Sequence, residues 1–131
     1  MNYEELLNEC ADENLVIKEK PLQSSNGRIY NNRIAIRHDM NTVDKTCTLA
    51  EELGHYYCNA LYYLDSDKIL KDKCEYRALK WAYSVLVPLQ KLKEKIMQGF
   101  NLYDLADYFN VDCEYMNDCI DFYTEKYGIL V

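Results

Sequence analysis

No apolar run in this 131-residue chain approaches the roughly eighteen residues that a membrane-spanning helix needs. The amino terminus, MNYEELLNEC, carries acids where a secretory leader would carry a basic start and an apolar stretch. The expectation is a cytoplasmic protein with no membrane partner. Basic residues are also scarce: 15 Lys and Arg stand against 22 Asp and Glu, a net charge of -7, with pI near 4.8. Capture of nucleic acid or of an anionic membrane requires clustered cations, so the balance favours a protein or small-molecule partner. The six cysteines (Cys10, Cys47, Cys58, Cys74, Cys113 and Cys119) form no C-x-x-C pair, which excludes a zinc ribbon. In a reducing compartment they read as free, mostly buried thiols. Internal repeats, low-complexity tracts and obvious domain boundaries are absent as well. With 49% hydrophobic and 28% charged residues, the length suits one compact domain with a real core and is too short for two.

What the chain does contain is a short β-rich segment followed by helices. Tyr3, Leu6, Leu7 and Cys10 recur at spacings of three and four, which predicts a short amphipathic helix. LVIKE is a candidate strand closed by Pro21, and RIYNNRIAIRHD holds two β-rich runs around Asn31-Asn32, a pair that tolerates a tight hairpin turn. Ile34 and Ile36 share one face of the second run, opposite Arg33, Ala35 and Arg37. Thr42 is placed to cap a helix over roughly residues 43–62, buried through Val43, Ala50, Leu53, Tyr57 and Leu61. Asp65, Ser66 and Asp67 break that pattern. A second long helix then runs to Pro88, a third stops at Gly99, and two shorter ones meet at Asn110-Val111-Asp112. The predicted class is mainly helical α+β, with a small antiparallel sheet beside one helix.

One stretch, LAEELGH, raises a chemical question. Residues four apart stack on a helix face, so Glu51 and His55 can aim at a common point while Glu52 approaches from the side. That is the geometry of H-E-x-x-H, in which the outer residues hold zinc and the inner Glu is the general base. Here the first letter is Glu, an acceptable oxygen ligand. Taken alone, the spacing favours a solvated helix face. The next helix adds Glu75, on the stripe of Ala78, Ala82 and Leu86, where a carboxylate facing inward would want a cation. A third ligand from that helix would complete an open zinc site; pairing of Glu75 with Arg77 or a lysine is the alternative.

CTLAEELGHYY, followed twenty residues after His55 by EYRALKWAYSVLVP, resembles the ImmA/IrrE family of zinc metallopeptidases of phages, mobile elements and bacterial stress regulators. The family's second helix follows E-x-x-A-x-x-(aromatic)-A-x-x-L-L-x-P. Glu75, Ala78, Trp81, Ala82, Val85, Leu86 and Pro88 match it with one conservative change. The likeness runs from Tyr3 to Gly128 and implies a single zincin-like domain over 1–131. Its parts would be a helix and sheet in 1–40, the metal-site helices in 41–99 and a helix pair in 100–131. It makes His55 and Glu75 zinc ligands, Glu52 the general base, and Glu51 the substitute for the family's first zinc-binding His. It further implies an endopeptidase that cleaves a helix-turn-helix transcriptional repressor from the same mobile element. Two carboxylates and one imidazole make the ion a poorer Lewis acid and move preference from zinc toward manganese. A weakly active or inactive member that binds a repressor or antitoxin is the competing reading.

Other residues are candidates of lower rank. His38 follows the last predicted strand and could replace the missing imidazole, or lie in a surface loop. Cys47 and Cys58 flank the Glu51-His55 face as conceivable thiolate ligands or as small core residues, and Tyr56 or Tyr57 could donate a hydrogen bond. The tail has the spacing of a helix-turn-helix, but from Phe100 to Val131 seven acids oppose Lys126 alone, an excess of six. Such a helix would be repelled by phosphates. The purified protein is therefore expected to give no salt-dependent mobility shift with duplex DNA; submicromolar binding would contradict this.

Overall fold

The computed structural model describes residues 1–9, 14–58 and 68–128, with backbone alone for 68–71. Helix α1 (Tyr3–Glu9) opens the chain, followed by strands β1 (Val16–Lys20), β2 (Gly27–Tyr30) and β3 (Arg33–Arg37). Helices α2 (Thr42–Cys58), α3 (Lys68–Leu86), α4 (Leu89–Met97), α5 (Leu102–Phe109) and α6 (Cys113–Tyr127) complete it. The architecture is the expected mainly helical α+β class. Among the described residues no helix is long and apolar enough to cross a membrane.

The sheet corrects one expectation. Its order is β1-β3-β2, with β2 antiparallel to β3 but β1 parallel to β3, so it is mixed rather than antiparallel. The most apolar strand takes the centre, where both edges of its backbone are paired. Ile34 there aligns with Ile17 on one side and Ile29 on the other, a row of three isoleucines, and Ile34 and Ile36 are buried as their alternation predicts. The hairpin turn falls at Asn31-Asn32, with Asn31 alone at positive φ, 53°.

Local signals set most helix ends. Asn2 and Glu5 exchange backbone and side-chain hydrogen bonds at the start of α1, and Asn101 and Asp104 do the same at α5. α2 begins one residue earlier than expected: the Asn41 side chain, not Thr42, accepts from the Asp44 N–H at 2.8 Å. The part of the predicted helix beyond Cys58, with Leu61 and the Asp65-Ser66-Asp67 break, lies outside the described residues, as does Cys10. α3 stops at Leu86 before Pro88, and the Tyr123 hydroxyl of α6 donates to the Val87 carbonyl at 2.8 Å, tying α6 to the α3–α4 junction. The core runs between these layers through Leu6, Ile36, Leu49, Leu53, Ala82, Leu86, Leu92 and Met116.

The tightest contact is between α2 and α3. A Cβ at Gly54 would lie 2.4 Å from the Ala78 carbonyl oxygen and 3.1 Å from its carbon and Cα, so the two backbones touch where only hydrogen fits. Because the obstacle is backbone, Gly54→Ala must push the helices apart. We expect it to cost about 2–3 kcal/mol of stability in denaturant titration, in the range of overpacked cores; a change within about 0.5 kcal/mol, typical of surface positions, would contradict that.

Candidate metal centre

The Gly54–Ala78 approach sets what the neighbouring residues can do. His55 is one residue beyond Gly54 and Glu75 is one turn before Ala78, so the close helix pair brings His55 Nε2 within 3.5 Å of Glu75 Oε2. The His55 side chain is 17% exposed and that of Glu75 53%. Glu75 thus does not face inward as its stripe suggested. Ala78, Ala82 and Leu86 hold the buried line, while the longer glutamate reaches from the rim of α3 toward the imidazole.

Glu51 and Glu52 are the half-buried neighbours of this pair. Glu52 points toward the sheet: a Cβ on Gly27, at the start of β2, would sit 3.1 Å from Glu52 Cγ and 3.4 Å from its Oε1. Burial pushes the Glu52 carboxyl up to about 7, and the charges of Glu51 and Glu75 add to the rise. Glu51 precedes it on α2. Its pKa is also raised, first by burial, then by Glu75 and by Asp118 of α6. Glu75 thus acts on both α2 carboxylates, and Asp118 acts on Glu51. Glu52 sits under the edge strand, and Glu51 lies within electrostatic reach of α6.

Three residues that pattern reading missed also shape this region. Gly27 lies in the polar stretch QSSNG between the first two strand runs, and nothing local marks it as the cover over Glu52. Tyr115 and Asp118 share a face of α6 by their three-residue spacing, but no sequence signal tied that face to α2. The link is made by the backbone N–H of Asp112, which donates to the Cys47 thiol and seats the first turn of α6 on α2. The remaining candidates are less involved. Cys47 is buried and its thiol is pushed up to about 12, first by burial, so it is a core thiol rather than a thiolate. Burial likewise raises Cys58. His38 is exposed, and its Nδ1 lies 3.3 Å from the Lys20 carbonyl of β1, the edge strand opposite β2. Tyr57 is 43% exposed rather than buried, with its ring 5.3 Å from that of Trp81.

Among the described residues no three His, Cys, Asp or Glu side chains converge on one point as a finished metal site. The donor chemistry nevertheless suits a divalent cation. Two shielded carboxylates bear pKa values raised first by burial and then by neighbouring negative charge, and a cation between Glu51, His55 and Glu75 would offset that repulsion. These residues fit a hard or borderline ion with one open position.

The same electrostatics make metal-free stability depend on pH. Glu52 has a folded pKa near 7 against an ordinary value of 4.5, so the folded state holds its proton more tightly than the unfolded chain. Its contribution is fully present below about 4.5 and is lost as pH rises through about 7. In chelator-treated protein, Glu52→Gln should remove a loss on the order of 2 kcal/mol between about pH 5 and about pH 8, allowing for solvent screening. Parallel stability curves for the two proteins would contradict the assignment.

The chain is also similar to known proteins. A family model described as the IrrE N-terminal-like domain, Peptidase_M78, matches residues 9–118. A curated protein, Metallopeptidase ImmA of Bacillus subtilis (strain 168), is 29% identical over 112 residues, covering 78% of this chain and 66% of that protein. This chain thus spans just under two thirds of that relative. No solved structure matches it significantly. A family-model match over most of the chain, together with the similarity to that metallopeptidase, means that this chain belongs to the ImmA/IrrE family of metallopeptidases.

Proposed function

We propose that this chain is a metal-dependent endopeptidase that cleaves a helix-turn-helix transcriptional repressor. The observation that carries the reading is the 3.5 Å meeting of His55 and Glu75 across α2 and α3, with Glu51 and Glu52 electrostatically coupled to Glu75. Family membership and the similarity to a protein named Metallopeptidase ImmA support it. In this reading Glu51, His55 and Glu75 hold a zinc or manganese ion. When bound, that ion supplies Lewis acidity to the peptide carbonyl and eases ionisation of water.

The chain's own residues perform the proton transfers and the positioning. Glu52 accepts a proton from the attacking water at a carboxylate oxygen and delivers it to the departing amine nitrogen. A carboxyl tuned toward neutrality is suited to both directions. The substrate would reach it along β2, an edge strand with one free side and with Gly27 directly over Glu52. An extended segment added to that edge pairs its backbone with the sheet and lies across the site. The glycine keeps side-chain bulk out of the narrowest part of that approach.

The test is cleavage of repressors encoded beside the gene, with zinc or manganese supplied. The wild type should cut at one or a few sites. Glu52→Gln should keep metal and fold while losing about a hundredfold to ten-thousandfold in rate. Glu75→Gln should fail differently, by losing metal. Equal rates for wild type and Glu52→Gln would refute the mechanism. If no such repressor is cut even at alkaline pH, a non-catalytic repressor- or antitoxin-binding role replaces it.

A further inference from the structure

Tyr115 of α6 is 9% exposed, and its hydroxyl is fully buried with no hydrogen-bond partner. A buried phenol is ordinarily paired, because an unmatched hydroxyl loses its hydration with nothing in return. Ser25 carries the other orphaned buried side-chain atom among the described residues, in the loop between β1 and β2. Tyr115, by contrast, lies beside the candidate metal centre. Asp112, one turn before it, donates its backbone N–H to the Cys47 thiol, and Asp118, three residues after it, acts on the charge of Glu51. The α6 series Asp112, Tyr115, Asp118 thus runs alongside the α2 pair Cys47 and Glu51. The hydroxyl falls within electrostatic reach of both the Cys47 thiol and the Glu51 carboxylate.

Ring packing leaves little freedom to turn away. The Tyr115 ring stands edge-on to Tyr83 of α3 at 5.3 Å, and its backbone N–H is held by the Asp112 side chain at 2.7 Å. The mobile partner is the glutamate, whose carboxylate swings about three side-chain torsions. Cys47 offers only a weak acceptor. Burial drives the phenol pKa well above its ordinary value, which keeps the O–H a donor.

We propose that Tyr115 is a positioning residue that donates a hydrogen bond to the Glu51 carboxylate and orients it as a metal ligand. Ligating carboxylates are commonly held by such an outer hydrogen bond, which fixes the oxygen facing the ion. The inference rests on the reading of Glu51 as a ligand and gives the residue that replaces the family's histidine a support of its own.

The experiment compares wild type, Tyr115→Phe, Glu51→Gln and the double variant. Zinc and manganese affinities are measured by competition with a chromophoric chelator, and thermal unfolding is followed in chelator-treated protein. Tyr115→Phe should weaken metal binding about tenfold to a hundredfold. Its metal-free melting temperature should stay level or rise, since the change removes a hydroxyl that has no partner. In the Glu51→Gln background the same change should have little further effect on affinity. Unchanged affinity in Tyr115→Phe overturns the proposal, as does an equal loss in both backgrounds, which would separate Tyr115 from Glu51. A wild type that takes up no metal defeats the ligand reading itself, and this inference with it.

Discussion

The backbone contact between Gly54 and Ala78 is the constraint on which the rest of the site depends. A side chain at either helix crossing point would hold α2 and α3 apart by its own thickness, and His55 and Glu75 would no longer meet. Small residues at the crossing exchange packed volume for proximity. The alanine stripe of α3 and the single glycine of α2 are therefore part of the candidate centre, although none of them carries a reactive group.

That proximity has an electrostatic consequence. Helices this close place Glu75 where it raises the pKa of both Glu51 and Glu52, and α6 adds Asp118 from another side. Shielded carboxylates that repel one another destabilise a fold unless protons or a cation compensate them. In the proposed reading a bound cation relieves this repulsion, and a carboxyl near neutrality suits a general base. Gly27 has a corresponding role at the sheet edge, since it allows β2 to lie directly on Glu52.

Much of this was legible in the residues themselves. Period-two burial of Ile34 and Ile36, the Asn31-Asn32 turn and the stop at Pro88 all follow from short-range geometry. Errors arose where long-range pairing decides. Alternation does not reveal which strand takes the centre, so the parallel β1–β3 pairing was missed. Apolar spacing placed Glu75 inward, whereas side-chain length carried its carboxylate to the rim. Tyr115 and Asp118 were not tied to the site, because their relation to α2 exists only once α6 is seated against Cys47 and tied to Val87. A glutamate in the family's histidine position was visible at once, but the groups that surround it were not.

The most direct test of the account is the metal content of the purified protein by elemental mass spectrometry, for the wild type and for Glu51→His. The account predicts about one zinc or manganese ion per chain, as one open three-residue site requires, retained more tightly by Glu51→His. A wild type without metal, together with a Glu51→His variant that takes up none, would contradict it.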